Sequence, residues 1–263
     1  MSPLRRLLVN MNVVLLTYRR SLALFAVTTS LVSCHHAPTT VEEVIDRNTR
    51  AMGGEKAIEA VQSIAVDLHI GDPGFEADGA YRSARPGRMR IDVKVEGKHV
   101  FTEAFDGDHG WQWEGEGTTT VEATAKATAA LRHGVELPGH LYGLHELRQR
   151  GHRIDLVGRE KIDGVDYYAL QVTLSDGYAT TLYLDPKSWL ITRRRDLRPL
   201  HVDIDPTPTT IEQCMSDFRQ VAGVWFSFSN TETDLQTGKL LETTTVRAIT
   251  INPEIGGEIF RKL

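Results

Sequence analysis

The segment Arg88–Val95, RMRIDVKV, alternates strictly. Met89, Ile91, Val93 and Val95 face one way, and Arg88, Arg90, Asp92 and Lys94 face the other. A period of two belongs to an extended strand, and the charged set marks a strand with one wet face in an antiparallel sheet. The same alternation recurs in Ile154/Leu156, in Tyr168/Leu170/Val172/Leu174 and in Thr180/Leu182/Leu184. Turn dipeptides punctuate these runs: Pro73-Gly74, Glu96-Gly97, Asp106-Gly107, Asp163-Gly164, Asp176-Gly177, Asp185-Pro186 and Thr237-Gly238. Two later stretches, Met215 to Phe226 and Leu240 to Ile251, read as further hairpin strands. From Ser63 onward the rhythm predicts about 10–12 short strands at hairpin spacing, the signature of an antiparallel sheet or barrel.

Helical patterning is confined to two places. Thr40-x-x-Glu43 is a capping box, followed by Val41, Val44, Ile45, Asn48 and Met52 at helical spacing and stopped by Gly53-Gly54. A short second helix, Glu55 to Gln62, puts Ala57, Ile58 and Val61 on one side. The other place is an insert at 119–149 between two groups of strands. Thr119–Leu131 carries Val121, Ala125, Thr128 and Leu131 at helical spacing, and Pro138–Gln149 carries Leu141, Leu144 and Leu147. The expected architecture is mainly β with some α: a leading helix, a large curved antiparallel sheet, and a helical insert lying across one face as a lid. Leu131, Leu141 and Leu144 are the expected apolar side of that lid. Residues 40–263 read as one domain, with an exposed proline-rich loop from Pro199 to Thr210.

The first 33 residues read as an export signal. Their only charges are Arg5, Arg6, Arg19 and Arg20, ahead of the apolar run Leu22–Val27 and Leu31-Val32. The uninterrupted apolar stretch is too short to span a bilayer. Met11 is a second plausible start, since the segment after it is already complete. Leu31-Val32-Ser33-Cys34 resembles the lipobox of bacterial lipoproteins. That resemblance implies that Cys34 becomes a lipid-bearing N-terminus, with residues 34–39 as its tether and the membrane as a partner through the anchor. Stable anchoring takes more than one acyl chain. His35 is not the Asp of inner-membrane retention, so the outer membrane, facing the periplasm, is the expected address.

Net charge is −5, which argues against a nucleic-acid partner. The triplet Arg193–Arg195 reads as a solvated strand face. The sequence contains no nucleophile elbow, phosphate loop, dinucleotide fingerprint or His-Glu-x-x-His, so it reads as a non-enzyme with no cofactor. His133, His140, His145 and His152 lack ligand spacing on one helix turn, and no metal is expected. Cys34 and Cys214 allow a disulfide on count alone. Trp111 and Trp113 fall on one side of the strand after Asp106-Gly107, and Trp189, Trp225 and Phe226 follow later turns. Such aromatics either pack the core or line a lipid cavity, and periodicity leaves both open.

Taken in order, IDRNTRAMGGEKAIEAVQSI (45–64), YRSARPGRMRIDV (81–93), AFDGDHGWQW (104–113), the run at 150–193, SDFRQVAGVWFSFS (216–229) and ITINPEI (249–255) resemble bacterial outer-membrane lipoprotein-sorting proteins of the LolA-like group. The resemblance implies an incomplete antiparallel barrel with a hydrophobic concave face and a helical lid. It implies acyl chains or lipoproteins as partners, and inward residues Met89, Ile91, Val93, Trp111, Trp113, Leu170, Leu182, Leu184 and Phe226. The lipobox makes this chain resemble an anchored member rather than a soluble shuttle. The alternative within the same fold is an envelope-stress or scaffold module that binds a protein partner.

Overall fold

A computed structural model describes residues 37–115, 119–200, 202 and 206–262. Cys34, the lipobox and the export segment lie outside the described residues.

The leading helix α1 (Val41–Met52) starts where its caps put it. Thr40 Oγ1 accepts from Glu43 N at 3.2 Å, and the Glu43 carboxylate accepts in return from Thr40 N at 3.3 Å. Gly53, at φ +125°, ends it, and a β-carbon there would collide with the Gly223 carbonyl. A short α2 (Glu55–Glu59) follows.

Thirteen strands then form one antiparallel sheet, one more than the upper end of the expected range. The first group is β1 (Ser63–Asp72), β2 (Phe75–Ala84), β3 (Arg88–Val95), β4 (Lys98–Phe105), β5 (Gly110–Glu114) and β6 (Val121–Glu122). The insert holds α3 (Ala125–Glu136) and α4 (Leu144–Leu147). The second group is β7 (Arg153–Ile162), β8 (Val165–Thr173), β9 (Ala179–Leu184), β10 (Ile191–Arg198), β11 (Thr209–Val221), β12 (Val224–Asp234) and β13 (Leu240–Ile251). Spatial order is β6-β5-β4-β3-β2-β1-β13-β12-β11-β10-β9-β8-β7. The two groups are meanders joined at the centre, where β1 pairs with β13 from Ile64↔Ile251 to Gly71↔Thr243. The free edges are therefore β6 and β7, and the insert is the piece of chain that runs from one edge to the other. The sheet is curved and unclosed, and this connection crosses its hollow side.

Two local expectations are corrected. Val121 and Glu122 are strand, not helix, because the edge of β5 offers backbone partners that pair Gln112 with Val121. Thr124 then caps α3 by accepting from Ala127 N at 3.1 Å. Within 138–149 only Leu144–Leu147 is α-helical. Pro138 cannot extend a preceding helix, and Gly139 N bonds to the Tyr142 carbonyl at 3.2 Å in a turn instead.

Three apolar clusters lie between the sheet and the elements on its concave side. Val44 of α1 and Leu137, Leu144 and Leu147 of the insert pack on Leu170, Val172, Leu182 and Leu184. Ile58 and Val61, with Leu141 and Tyr142, pack on β1, β12 and β13. Leu131 and Val135 of α3 pack on Met89 and Phe105. Each fully buried Leu or Ile contributes about 1.5–3 kcal/mol relative to exposure. These contacts are what hold helices against a strongly curved sheet.

Candidate functional site

Strand register fixes which side chains face the hollow. Across the first meander, Val66 pairs with Tyr81, Tyr81 with Ile91, Met89 with Phe105, and Val93 with Phe101. All of these share the concave face. Met89 is buried beneath α3, but Ile91 and Val93 are only half-buried, as are their neighbours Ile70, Tyr81 and Phe101. These five residues form an apolar strip that the helices cover in part: Tyr81 and Ile91 pack against the α3 cluster, Ile70 and Tyr81 against that of α2, and none of the five is fully buried. Leu170, Leu182, Leu184 and Phe226 also face inward, but protein side chains cover them: Leu144 and Leu147 over the leucines, Ile58 and Leu141 around Phe226. The hollow is thus filled on one part and open on another. Leu131, Leu141 and Leu144 all point from the insert onto the sheet, each into a different cluster.

Trp111 and Trp113 are on the opposite face. Phe105 pairs with Gly110, which places Gly110 and Gln112 inside and the two tryptophans outside. Gly110 faces α3 so closely that a β-carbon would sit 2.8 Å from Thr128 Oγ1 and 3.2 Å from Leu131 Cδ1. Trp111 instead donates its indole N–H to the Phe260 carbonyl at 2.8 Å, with the Arg90 guanidinium 5.5 Å from its ring centre. The C-terminal 3-10 turn Gly257–Phe260 seats Phe260 there, fully buried. Trp113 stacks on His99, ring centres 4.5 Å apart. Trp111 clamps the tail to the convex side, and both tryptophans face away from the hollow.

The insert is fastened at two points. Near α4, the Arg85 guanidinium meets the buried Glu146 carboxylate at 2.5 and 3.2 Å and the Leu141 carbonyl at 2.6 Å. Burial alone would raise the Glu146 carboxyl, but the Arg85 hydrogen bond and the Gly143 N–H hold it below the usual range. Tyr142 lies under both Arg85 and Arg150, 4.4 and 3.6 Å from its ring centre. On α3, His133 and Arg132 meet Asp176 of the β8–β9 turn at 2.7 and 3.0 Å, and His133 stacks on Tyr178 at 4.0 Å. Desolvation would raise Asp176, but the His133 bond, the Tyr178 N–H and the charge of Arg132 hold it at about 2.

A polar wall continues the concave face on β9–β13. Arg194 pairs in register with Leu182 and Gln213, so the central arginine of the triplet points inward. Its neighbours Arg193 and Arg195 point outward, onto Tyr167 and Tyr183, and bond Glu212 at 2.8 and 2.6 Å. The triplet is therefore split by the sheet rather than laid along one solvated face. Inside, Thr180 donates to Asp196, and Arg198 binds Glu232 with two contacts of 2.7 and 2.6 Å. Glu242 stands directly opposite Glu232, and burial with the nearby Glu232 and Asp72 charges pushes its carboxyl up to about 7. Neither Asp196 nor the arginines were singled out by periodicity, since a buried charge looks the same in sequence as an exposed one.

The four insert-region histidines are dispersed. His133 is on Asp176, His140 beside Tyr81 at 5.0 Å, His145 beside Thr49 at 3.4 Å, and His152 accepts from Ser175 N at 3.2 Å. No group of His, Cys, Asp or Glu side chains suited to a metal gathers among the described residues. Among the described residues Cys214 is a free thiol, beside Glu212. A cleft of about 340 Å3 opens where α3 meets the β5–β6 edge, between Gly110, Glu122, Thr128 and Arg132. No helix among the described residues is long and apolar enough to cross a membrane.

Solved structures share this open antiparallel half-barrel with helices seated in its hollow. A DUF1329 family protein from Desulfovibrio piger superposes with a TM-score of 0.58 at 13% identity, covering 84% of this chain and 97% of that one. A domain described as belonging to an outer-membrane lipoprotein-sorting protein of Vibrio parahaemolyticus gives 0.55 at 13%, covering 83% and 94%. A LolA superfamily protein from Nitrosomonas europaea gives 0.53 at 12%, covering 86% and 99%. The fold is LolA-like. No protein-family model and no curated protein matches the sequence.

Proposed function

We propose that this chain is an envelope protein that holds acyl chains, free or on lipoproteins, in its half-barrel, anchored through Cys34 to the outer membrane and facing the periplasm. The observation that carries the binding reading is the half-buried apolar strip Ile70, Tyr81, Ile91, Val93 and Phe101 on the concave face, next to a helix with few anchors. An apolar wall kept partly in water inside a hollow is costly unless something covers it. The lipobox supports the anchor, and the LolA-like neighbours support the ligand class. The full chain should bind a fluorescent fatty-acid probe, and Val93→Glu, at a partly exposed position on the strip, should weaken binding at least tenfold. Normal probe binding by a folded Val93→Glu protein ends this reading.

A second reading is a protein-binding module of the same fold. What favours it is that the protein's own side chains cover Leu170, Leu182, Leu184 and Phe226. Stable co-purification of one envelope protein, with no probe binding, would select it.

A further inference from the structure

The polar wall contains one cation whose bonds are not closed. Arg198 is matched by Glu232 through two short contacts. Asp196, almost fully buried, accepts from Thr180 and from the Tyr178 hydroxyl and lies 3.4 Å from Arg198. Glu242 accepts from Thr244 at 3.2 Å. Arg194 is different. Among the described residues its Nε is buried without a hydrogen-bond partner, and its one ion contact, Asp196 Oδ2 at 3.0 Å, lacks hydrogen-bond alignment. Four-fifths of its side chain is out of solvent. The Oγ1 of Thr192, two residues before it, is also buried and unbonded. A largely buried guanidinium with an unbonded Nε–H is unfavourable unless water or a ligand completes it. It faces the same hollow as the half-buried apolar strip.

Resting on the acyl-binding reading, we infer that Arg194 is the head-group anchor of this hollow and takes the anionic end of an amphiphile, a carboxylate or a phosphate, whose chain lies on Ile70, Ile91, Val93 and Phe101. Guanidinium donors form a planar fork that matches two oxygens of either anion, and the match strengthens away from water. The geometry suits a long chain: β10 and β1 are four strand spacings apart, about 19 Å around the curved sheet and less across the hollow. Of the nearby carboxylates, Glu232 is taken by Arg198, and Asp196, 3.0 Å from Arg194 Nε, is shared with Thr180, Tyr178 and Arg198, so an incoming anion would compete with Asp196 alone. The lid adjoins this anchor, since His133 of α3 stacks on Tyr178, whose hydroxyl bonds Asp196.

The test uses the full chain in a nonionic sugar detergent, with palmitate, hexadecyl phosphate and methyl palmitate competing against a fluorescent fatty-acid probe. Palmitate and the alkyl phosphate are expected to bind at least tenfold tighter than the uncharged ester. Their relative order separates a free fatty acid from a phosphate-bearing lipid. Arg194→Met should bring the acid-to-ester ratio to about one. Arg194→Lys, which keeps the charge and loses the two-point fork, should reduce it several-fold and serves if the methionine variant does not fold. An ester as tight as the acid in the unaltered protein, or a ratio unchanged in a folded Arg194 variant, overturns the head-group site and leaves the acyl reading standing. Failure of all three ligands in a protein that melts cooperatively overturns both.

Discussion

Residues 137–147 and residues 125–136 belong to one insert and cover one face, yet they are fastened in different ways. The first segment sinks Leu137, Leu141, Tyr142, Leu144 and Leu147 into the core and adds the buried Arg85–Glu146 pair. The second, α3, buries only Ala127, Leu131 and Val135, and is held besides by a partly exposed contact with Asp176 and by Arg150 on the Glu136 carbonyl at 2.8 Å. One half is part of the domain's core; the other is a cover resting on it. Opening energies differ within a protein according to such contacts, and moving parts are drawn from the low end.

Removing the buried anion should have the largest effect. Glu146→Ala leaves Arg85 buried without its partner, which costs about 3–5 kcal/mol. A fall in melting temperature of roughly 10 °C is expected by calorimetry; a change below about 2 °C would place the clamp outside the core. Leu147→Ala should cost about 3 kcal/mol through its cavity and lower global stability in denaturant. Leu131→Ala should cost about 2 kcal/mol and act locally, so that hydrogen exchange speeds in 125–136 before it does in β8 or β9. Equal acceleration everywhere would show the two halves to be one cooperative unit. Gly110→Ala pushes a methyl against Thr128 and Leu131 and should loosen α3 by about 1 kcal/mol, raising probe on-rates with little change in melting. The smallest effect is electrostatic. Asp176 is depressed from 3.8 to about 2, so its contribution is present above pH 4 and lost as pH falls toward 2. Its contacts are partly exposed, so Asp176→Asn should cost no more than about 1 kcal/mol. Exchange in α3 should show that acid loss in the native protein and lack it in Asp176→Asn.

Much of this layout was legible from alternation and turns. Arg88–Val95 announced its inward and outward sets, and the capping box at Thr40 placed α1 to the residue. The site was harder. Trp111 and Trp113 share a face, as their spacing says, but spacing does not say which face. The choice is made by Gly110, which lets α3 approach, and by Phe260, a partner far along the chain that takes the Trp111 indole on the convex side. It was the resemblance to LolA-like proteins, not the pattern itself, that pointed them into the hollow. The Arg193–Arg195 triplet failed in the opposite sense. Three like charges read as solvated, whereas Tyr167, Tyr183 and Glu212 pack against two of them and the third turns inward. Only the positions of acids on strands distant in sequence could have told these apart.

The pairing of β1 with β13 has a consequence for how the chain comes together. Every other neighbour in the sheet is also a neighbour in sequence, so each meander can zip locally as it emerges. The seam between them closes only when the last strand arrives, joining residues nearly the whole domain apart. Such a long closure is slow relative to hairpin formation. Until it occurs, β1 and β12 present unpaired inner edges, and the insert has two half-sheets to bridge but no hollow to cover. A chain stalled or cut before Leu240 would therefore carry two sticky edges at once, the condition that invites association with other chains. The final strand is the stitch that turns two ribbons into a container.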